Sequence, residues 1–134
     1  METRGGTPAE GAVLDQLRRA LATQDFDALA RLYTEDATLE EVSSINPPAH
    51  PLVVQGRDAI LQHLREQILR DPISGWRRQI QQSAVVDGIE TEDGIAFTEE
   101  RVYAAGDKTI AQHVARKSGG RIAHDRLVVA WDPD

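Results

Sequence analysis

Two adjacent carboxylates, Glu40 and Glu41, are the side chains of this sequence best suited to acid–base chemistry. They lie in a strand-like run, 38–42, in which successive side chains point to opposite faces. Leu39 and Glu41 therefore share one face, and if Leu39 packs into the core then Glu41 also points inward. An apolar surround would raise the pKa of the Glu41 carboxyl, which could then act as general base on an acidic C–H or on water. The alternative is two exposed carboxylates at a strand end.

The run Glu99-Glu100-Arg101-Val102-Tyr103 supplies a second set of polar groups. Arg101 and Tyr103 could donate hydrogen bonds to a carbonyl oxygen or to a developing oxyanion. Glu99 and Arg101 are two residues apart and share a face of the strand. The alternative is therefore an ordinary same-face ion pair on a strand, worth about 0.5 kcal/mol if it is exposed.

Two histidines, His113 and His124, fall on neighbouring predicted strands. Because His124 and Asp125 are adjacent on a strand, both cannot enter one pocket. Alternation does not decide which set of residues on the predicted strand 108–117 faces inward. For each histidine, the alternative is a position on the surface. One set is Ile110, Gln112 and Val114, and the other is Ala111, His113 and Ala115. His50 and His63 have no metal-ligand spacing, so no bound metal is expected.

Composition indicates one globular domain and restricts its partners. The chain has 134 residues, 40% of them hydrophobic, and a net charge of −7, which disfavours nucleic acids and anionic membranes as partners. It contains no cysteine, which excludes disulfides and thiolate chemistry. No apolar run reaches the ~20 residues of a membrane span, and the first residues lack the apolar stretch of a signal peptide, so a cytoplasmic location is expected. No phosphate loop or dinucleotide fingerprint is present, and no cofactor is expected.

The first part of the chain predicts a tail and two helices. Residues 1–10 are polar and rich in glycine and proline, which predicts a flexible tail before a single domain at 11–134. Apolar residues recur at helical spacing over 13–21 and again over 26–33. Asp25 is the expected N-cap of the second helix.

One strand and a third helix follow. The strand covers 38–42, and the proline-rich segment 43–51 predicts a loop. The third helix carries its apolar residues over 60–68, with Asp58 in its first turn, where a carboxylate complements the helix dipole. Asp71-Pro72 is expected to end it.

The second half of the chain predicts an antiparallel meander. Strand-like runs cover 76–87, 95–104, 108–117 and 121–131. Hairpin-type turn signals separate them at Asp87-Gly88, Glu92-Asp93-Gly94, Gly106-Asp107 and Gly119-Gly120. The expected fold class is α+β, with three N-terminal helices packed on a strongly curved, mostly antiparallel sheet.

This layout resembles the SnoaL-like and ketosteroid-isomerase-like branches of the nuclear transport factor 2-like superfamily, over about 13–132. The residues that carry the resemblance are 24–29, Leu32-Tyr33 through Glu41, 56–60, 120–122 and 130–132. It implies a cone-shaped domain with one enclosed pocket. Members include isomerases, epoxide hydrolases, dehydratases, polyketide cyclases and non-catalytic binders, so the fold does not decide the function.

The resemblance assigns candidate roles to several residues. Glu41 matches the position of the catalytic aspartate of ketosteroid-isomerase-like members. Leu17 stands where the isomerase has its oxyanion-hole tyrosine, and Gln112 lies near the position of its acid, so a true ketosteroid isomerase is not expected. Arg101 matches the arginine of the epoxide-hydrolase-like motif, but Tyr103 replaces its first aspartate, which argues against that family's own triad.

SnoaL-like cyclases use a histidine and an aspartate on these late strands as an acid/base pair, and both His113 and the dipeptide His124-Asp125 are compatible with that role. The expected function is a cofactor-independent isomerase, cyclase or hydrolase that acts on a small apolar or aromatic molecule. Glu41 would be the general base, and Arg101, Tyr103 and Gln112 or His113 would supply hydrogen bonds. The expected substrate-binding residues are Leu17, Tyr33, Leu39, Gln112 and Trp131.

The alternative is a non-catalytic ligand-binding domain or a dimeric interaction module of the same fold. A homodimer formed through the outer face of the sheet is expected in either case, because relatives commonly associate in that way.

Overall fold

The computed structural model describes residues 8–69 and 80–132, and their side chains over 13–66 and 80–130. Helix α1 (Pro8–Thr23) and the short helix α2 (Phe26–Ala30) open the fold. Between them Gln24 has a φ of 54°, and its side-chain amide donates to the carbonyls of Ile80 and Gln81, contacts that help to hold this left-handed turn. Asp25 accepts from the Ala28 N–H at 3.1 Å, which confirms it as the N-cap of α2.

Strands and one further helix make up the rest of the described chain. They are β1 (Tyr33–Val42), β2 (Leu52–Gln55), α3 (Arg57–Leu69), β3 (Ile80–Glu90), β4 (Gly94–Tyr103), β5 (Lys108–Ser118) and β6 (Arg121–Asp132). The strands form one sheet of six in the order β2-β1-β6-β5-β4-β3. β1 and β6 pair in parallel and every other neighbouring pair is antiparallel, so the sheet is mixed.

The α+β class is confirmed, with four corrections to the predicted elements. The third helix follows β1 and β2, so the helices are not all N-terminal. Strand β2 was not predicted, and β1 begins at Tyr33, which the helical spacing had placed in the second helix. Asp87-Gly88 is not a turn, because both residues remain paired with β4 next to a bulge.

Two further predictions concern the start of α1 and the end of α3. Helix α1 already begins at Pro8, inside the segment 1–10 that was expected to be a tail; residues 1–7 lie outside the described part. The third helix has Asp58 in its first turn, as predicted. Its predicted end at Asp71-Pro72 lies outside the described residues.

The helices cover the inner face of the sheet, and the core lies between the two layers. Val13, Leu17, Ala20 and Leu21 form the buried side of α1 and pack in one cluster with inward residues of the strands. On β4 every second residue from Ile95 to Tyr103 is buried, which is the alternation of a strand with one solvated face. No helix in the described ranges is long and apolar enough to cross a membrane.

A bulge in β6 sets which side chains of that strand point inward. Arg116 pairs with His124 and Lys117 pairs with Ile122, so Ala123 is an extra residue with no partner in this ladder. The extra residue lets Ile122 and Asp125 both face the core although they are three positions apart. His124, between the bulge and Asp125, points to the outer face.

Candidate functional site

A continuous chain of four charged side chains crosses the inner face of the sheet. Arg101 and Glu99 lie on β4, His113 on β5 and Asp125 on β6, and all four are buried. The His113 Nδ1 lies 3.0 Å from Asp125 Oδ2, and its Nε2 lies 2.9 Å from Glu99 Oε1. Arg101 donates from Nη2 to Glu99 Oε1 at 3.2 Å. Three neighbouring strands are therefore linked by charged contacts inside the core.

The His113 ring carries a positive charge at neutral pH. Burial alone would lower its pKa, but the Asp125 charge, the hydrogen bonds to Asp125 and Glu99 and the Glu99 charge outweigh burial and raise the pKa of His113 to about 9. In the imidazolium form both ring N–H groups donate, one to each carboxylate. Phe97 stacks on the ring with centroids 4.1 Å apart and an interplanar angle of 9°, which fixes the plane of the imidazolium.

Glu99 and Arg101 form an ion pair in which both partners stay charged. Burial would raise the pKa of Glu99, but the Arg101 charge and the hydrogen bond from His113 hold it well below its usual range. Burial likewise works against the charge of Arg101, and the Glu99 carboxylate outweighs it and raises the pKa of Arg101. The sequence did not decide whether Glu99 and Arg101 belong to a functional site or form an exposed ion pair. The pair is buried, so the stabilisation of about 0.5 kcal/mol expected for an exposed pair does not apply to it.

One nitrogen of Arg101 is imperfectly satisfied. Its Nε lies 3.1 Å from Glu99 Oε2, which is ion-pair distance. The N–H does not point along that contact, and Nε has no hydrogen-bond acceptor among the described residues. The contact is an electrostatic attraction without a hydrogen bond, because hydrogen bonds weaken steeply with misalignment.

The charged chain lines one side of a mostly apolar pocket with about 30 Å³ of free space. Polar atoms come also from Glu41, Tyr33 and Ser83. The apolar lining consists of Leu17, Leu21, Leu29, Leu39, Leu64, Ile80, Phe97 and Leu127. The pocket thus combines a small apolar space with a concentrated set of ionisable groups, the usual composition of a small-molecule site.

Glu41 lies in the pocket lining with Leu39, on the face predicted for it. Its surroundings differ from the apolar ones assumed above. His63 on α3 places Nε2 3.4 Å from Glu41 Oε1, and Arg101 is close enough for the two charges to interact. The Glu41 carboxylate therefore sits between an imidazole and a guanidinium.

Tyr33 and Leu17 also line the pocket. Leu17 is almost completely buried, on the side of α1 that faces the sheet. Burial, followed by the negative charges of Asp125 and Glu99, raises the pKa of Tyr33 well above its ordinary value, so its hydroxyl keeps its proton.

The remaining predicted site residues lie elsewhere. Gln112 is a correction: it points to the outer face of the sheet and exchanges hydrogen bonds with Thr98. Tyr103 is buried at the end of β4, in a small cluster with Ile80 and near the Thr109 hydroxyl, 3.4 Å away, and does not line the pocket. Trp131 pairs through its backbone with Thr109, but its side chain lies outside the described residues.

The outer face carries a second, separate charged cluster. Glu40 lies 3.2 Å from His124 Nε2 and also accepts from Arg126. The hydrogen bond from His124 and then that from Arg126 lower the pKa of Glu40. Glu40 and Glu41 therefore face opposite sides of β1, as the strand alternation predicts, and so do His124 and Asp125 on β6.

Sequence reasoning considered Glu99 as an ion-pair partner of Arg101 and Asp125 as a candidate beside His124, without placing either carboxylate at His113, and it missed the contact of His63 with Glu41. On β4 the odd-numbered residues face the core. Had that face been known, the alternation of the strand would have placed Glu99 on the buried face beside Arg101 and Phe97. No sequence pattern predicts that Asp125 faces inward, because the direction of its side chain depends on the bulge at Ala123. His63 reaches Glu41 through the packing of α3 on β1, a contact that spacing along the chain does not reveal. No group of three metal-ligating side chains is found within the described ranges.

Solved structures place this fold in the nuclear transport factor 2-like class, α+β domains with a curved mixed sheet. One similar structure is an NTF2-like protein of unknown function from Burkholderia xenovorans LB400, at 17% identity, covering 96% of this chain and 87% of that one with a TM-score of 0.73. Another, from Mesorhizobium loti, has 18% identity, coverage of 97% and 96%, and a TM-score of 0.71. A third is named as a candidate ketosteroid isomerase from Kribbella flavida DSM 17836, with 15% identity, coverage of 92% and 80%, and a TM-score of 0.68.

The model of the SnoaL-like domain family matches residues 14–124, so the chain belongs to the SnoaL-like family. The matched range contains Glu41, Glu99, Arg101 and His113 and ends one residue before Asp125. No curated protein matches the sequence. At these identities the structural likeness establishes the fold, and function has to be argued from the site.

Proposed function

We propose that this domain binds a small, largely apolar molecule in the inner pocket and carries out cofactor-independent acid–base chemistry on it. The reaction class is proton-transfer isomerisation, cyclisation or water addition. The observation that carries the proposal is His113, an imidazolium held between Asp125 at 3.0 Å and Glu99 at 2.9 Å beside an apolar space.

Stability alone gives a poor reason for such an arrangement. Taking charges out of water is costly, and replacing buried ion pairs by well-packed apolar residues is often neutral or stabilising. Four buried charges that adjoin a pocket, with strongly shifted pKa values for His113 and Glu99, are instead typical of sites that bind or transfer protons. The inward direction of Asp125 depends on a bulge, a feature often found next to active sites.

The proposed roles follow from the contacts of each group. Glu41 takes a proton from an acidic C–H of the substrate, because its carboxylate lines the pocket and is not one of the two that hold the His113 imidazolium. The electron pair released from that C–H bond moves onto the substrate oxygen. The positive charges of His113 and Arg101 stabilise that developing oxyanion, and the proton then returns from Glu41 to another carbon or to the oxygen.

A non-catalytic binding domain is the second candidate function. It is favoured by the fact that both His113 N–H groups already have acceptors inside the protein, and by the small free space of about 30 Å³. A ligand would then use the apolar wall, and the charged chain would serve to fix the shape of the pocket.

A homodimer is part of the proposal. Val114 and Val128 on the outer face of β5 and β6 are 64% and 47% exposed, and Ile89 on β3 is 66% exposed. Neighbouring exposed apolar side chains on a sheet face support an interface between two copies of the chain. The cytoplasmic location remains a prediction from the sequence.

The two candidate functions separate in one experiment. The protein is screened by thermal shift against small ketones, lactones, epoxides and polyketide-like aromatics, and each ketone that binds is incubated with the protein in D₂O. We expect faster exchange of its α-hydrogens than in solution, with the effect lost in Glu41→Gln and kept in Glu40→Gln, which changes the same residue type on the opposite face. Binding without accelerated exchange would favour the non-catalytic domain.

A further inference from the structure

Two hydroxyl groups of the pocket wall have no hydrogen-bond partner inside the described part of the protein. Tyr33 and Ser83 both line the pocket and are buried, with 4% and 3% of their surface exposed. Neither side chain makes a hydrogen bond to any residue that the structure describes. Buried hydroxyl groups are nearly always paired, so an unpaired one calls for a partner from water or from a ligand.

Both hydroxyl oxygens can be reached from the pocket. Among the described residues, Arg101 Nε is the one side-chain polar atom that lacks a hydrogen bond and is also sealed off from open space. Tyr33 Oη and Ser83 Oγ lack a hydrogen bond without being sealed, so each borders the free space of about 30 Å³. The charged groups of the chain already contact one another at 2.9 to 3.2 Å. A ligand can therefore pair with the two hydroxyls without breaking an internal contact.

The two hydroxyls lie at opposite ends of the charged chain. Ser83 on β3 is directly opposite Arg101 in the ladder, and Tyr33 begins β1, which pairs with the strand that carries Asp125. The charges between the two hydroxyls alternate in sign, from the Arg101 cation to the Asp125 carboxylate. After burial, the charge of Asp125 is the largest cause that raises the pKa of Tyr33. The positive end of the chain thus adjoins Ser83, and the negative end adjoins Tyr33.

The sign of the neighbouring charge decides how each hydroxyl pairs with a ligand, because a hydroxyl can both donate and accept. Beside the Arg101 cation an electron-rich ligand oxygen is favoured, and Ser83 donates to it. Beside the Asp125 carboxylate a positively polarised ligand hydrogen is favoured, and the Tyr33 oxygen accepts from it. Charges that complement each other in this way fix the direction of a bound molecule.

We propose that Ser83 donates a hydrogen bond to an acceptor oxygen of the ligand, that Tyr33 accepts one from a ligand hydroxyl, and that the two contacts set the direction in which the ligand lies. The ligand class is a neutral molecule with a hydroxyl and an oxygen acceptor at opposite ends of an apolar body. The assignment rests on the proposed function, because both hydroxyls belong to the same pocket. Ser83 then contacts the oxygen on which negative charge develops, and the sealed Arg101 Nε acts on that oxygen through its charge alone.

Removing each hydroxyl singly tests the assignment. Two probes are titrated into ¹⁵N-labelled protein at pH 6: p-hydroxyacetophenone, which has a hydroxyl and a carbonyl at opposite ends, and acetophenone, which has the carbonyl alone. Ser83→Ala should raise the Kd of both probes about fivefold, the factor expected for one neutral hydrogen bond. Tyr33→Phe should raise the Kd of p-hydroxyacetophenone by a similar factor and leave that of acetophenone unchanged within about twofold.

Stability distinguishes a ligand contact from a structural one. Because neither hydroxyl has a partner among the described residues, Ser83→Ala and Tyr33→Phe should unfold at the same urea concentration as the unaltered protein or at a higher one. Tyr103→Phe, at the other tyrosine of the chain, is the matched control. Its hydroxyl lies outside the pocket lining, 3.4 Å from the Thr109 hydroxyl. This variant should unfold at a lower urea concentration and bind both probes as the unaltered protein does.

The contrary outcomes separate this assignment from the proposed function. If both probes shift inner-face amides and neither variant changes either Kd, the hydroxyls do not contact the ligand, and the small-molecule pocket remains. If Tyr33→Phe weakens acetophenone as much as p-hydroxyacetophenone, the direction of the ligand is wrong. A lower urea midpoint in Ser83→Ala or Tyr33→Phe would reveal an internal partner and overturn the assignment of that hydroxyl. If neither probe perturbs the inner face, the assignment and the pocket's proposed function are both overturned.

Discussion

His113 on β5 and Asp125 on β6 form the central contact of this domain, with Nδ1 of the imidazole 3.0 Å from the nearer carboxylate oxygen. The two residues are not opposite each other in the ladder, since His113 pairs with Leu127 and Asp125 pairs with Ala115. The contact is therefore a diagonal one across two strands, within reach of these side chains. It links the two strands and holds a positive charge inside the core.

The charge of His113 makes the stability of the protein depend on pH. The folded pKa of His113, about 9, is above its ordinary value of 6.5. Its contribution is therefore fully present below about pH 6.5 and is lost as the pH rises from there through about 9. We expect the free energy of unfolding to fall by about 3 kcal/mol over this interval, as measured by urea denaturation at a series of pH values.

The same titration distinguishes His113 from the outer histidine. The variant His113→Gln should lose this decline, whereas His124→Gln, which alters the half-exposed histidine beside Glu40, should keep it. A decline of equal size in His113→Gln would show that another group causes it.

Removing the charge of Asp125 should destabilise the fold strongly. Asp125→Asn leaves the buried imidazolium with one carboxylate, and we expect a loss of about 3 kcal/mol at pH 7. Asp87→Asn, an exposed position on β3, is the control and should change stability by less than about 0.5 kcal/mol. The double variant His113→Gln/Asp125→Asn should lose less than the sum of the two single changes, because it leaves no unpaired charge. Additive losses would contradict the contact.

The bulge in β6 should tolerate the loss of its extra residue, Ala123. Deleting Ala123 leaves Ile122 and Asp125 two positions apart, so strict alternation along β6 keeps both of them facing inward. We expect this variant to keep cooperative unfolding and near-ultraviolet circular dichroism. Deletion of Ala111, a buried residue in the regular part of the β5 ladder, changes the chain length equally but reverses the faces of the residues on one side of it, and should abolish both. Loss of the native-like spectrum after the Ala123 deletion would contradict this account of the strand.

Much of the fold could be predicted from the sequence because it follows from local patterns. The helical spacing of apolar residues, the cap at Asp25, and the opposite faces of Glu40 and Glu41 depend only on residues close together in the chain. The site depends on which face of each late strand points inward. That parity was left open, and the predicted site therefore included both His113 and Gln112, which are adjacent on β5 and cannot both line the pocket.

The rest of the site could not be predicted for two physical reasons. The bulge leaves Ala123 unpaired and has no characteristic amino-acid sequence. The inward position of Asp125 is therefore visible only in the register of the paired strands. The contact between His63 and Glu41 joins a helix to a strand through tertiary packing. Hydrophobic periodicity carries no information about either feature.

The outer face of the sheet should hold two copies of the chain together. Val114→Lys places a charge in the centre of the exposed apolar side chains of β5 and β6, and we expect it to convert a dimer into a monomer in native mass spectrometry. Ile45→Lys is the control, because Ile45 is 85% exposed in the loop after β1. A monomer in the unaltered protein, or a dimer that persists in Val114→Lys, would show that this face is not the interface.

The protonation state of His113 tests the central claim most directly. Side-chain ¹⁵N–¹H NMR of uniformly labelled protein, with the ring signals assigned by their loss in His113→Gln, reports on both ring nitrogens. The structure predicts that both carry protons at pH 7 and that the ring loses its charge near pH 9. A single protonated nitrogen on His113 at pH 7, unchanged down to pH 6, would contradict the buried imidazolium and the acid–base function proposed for this pocket.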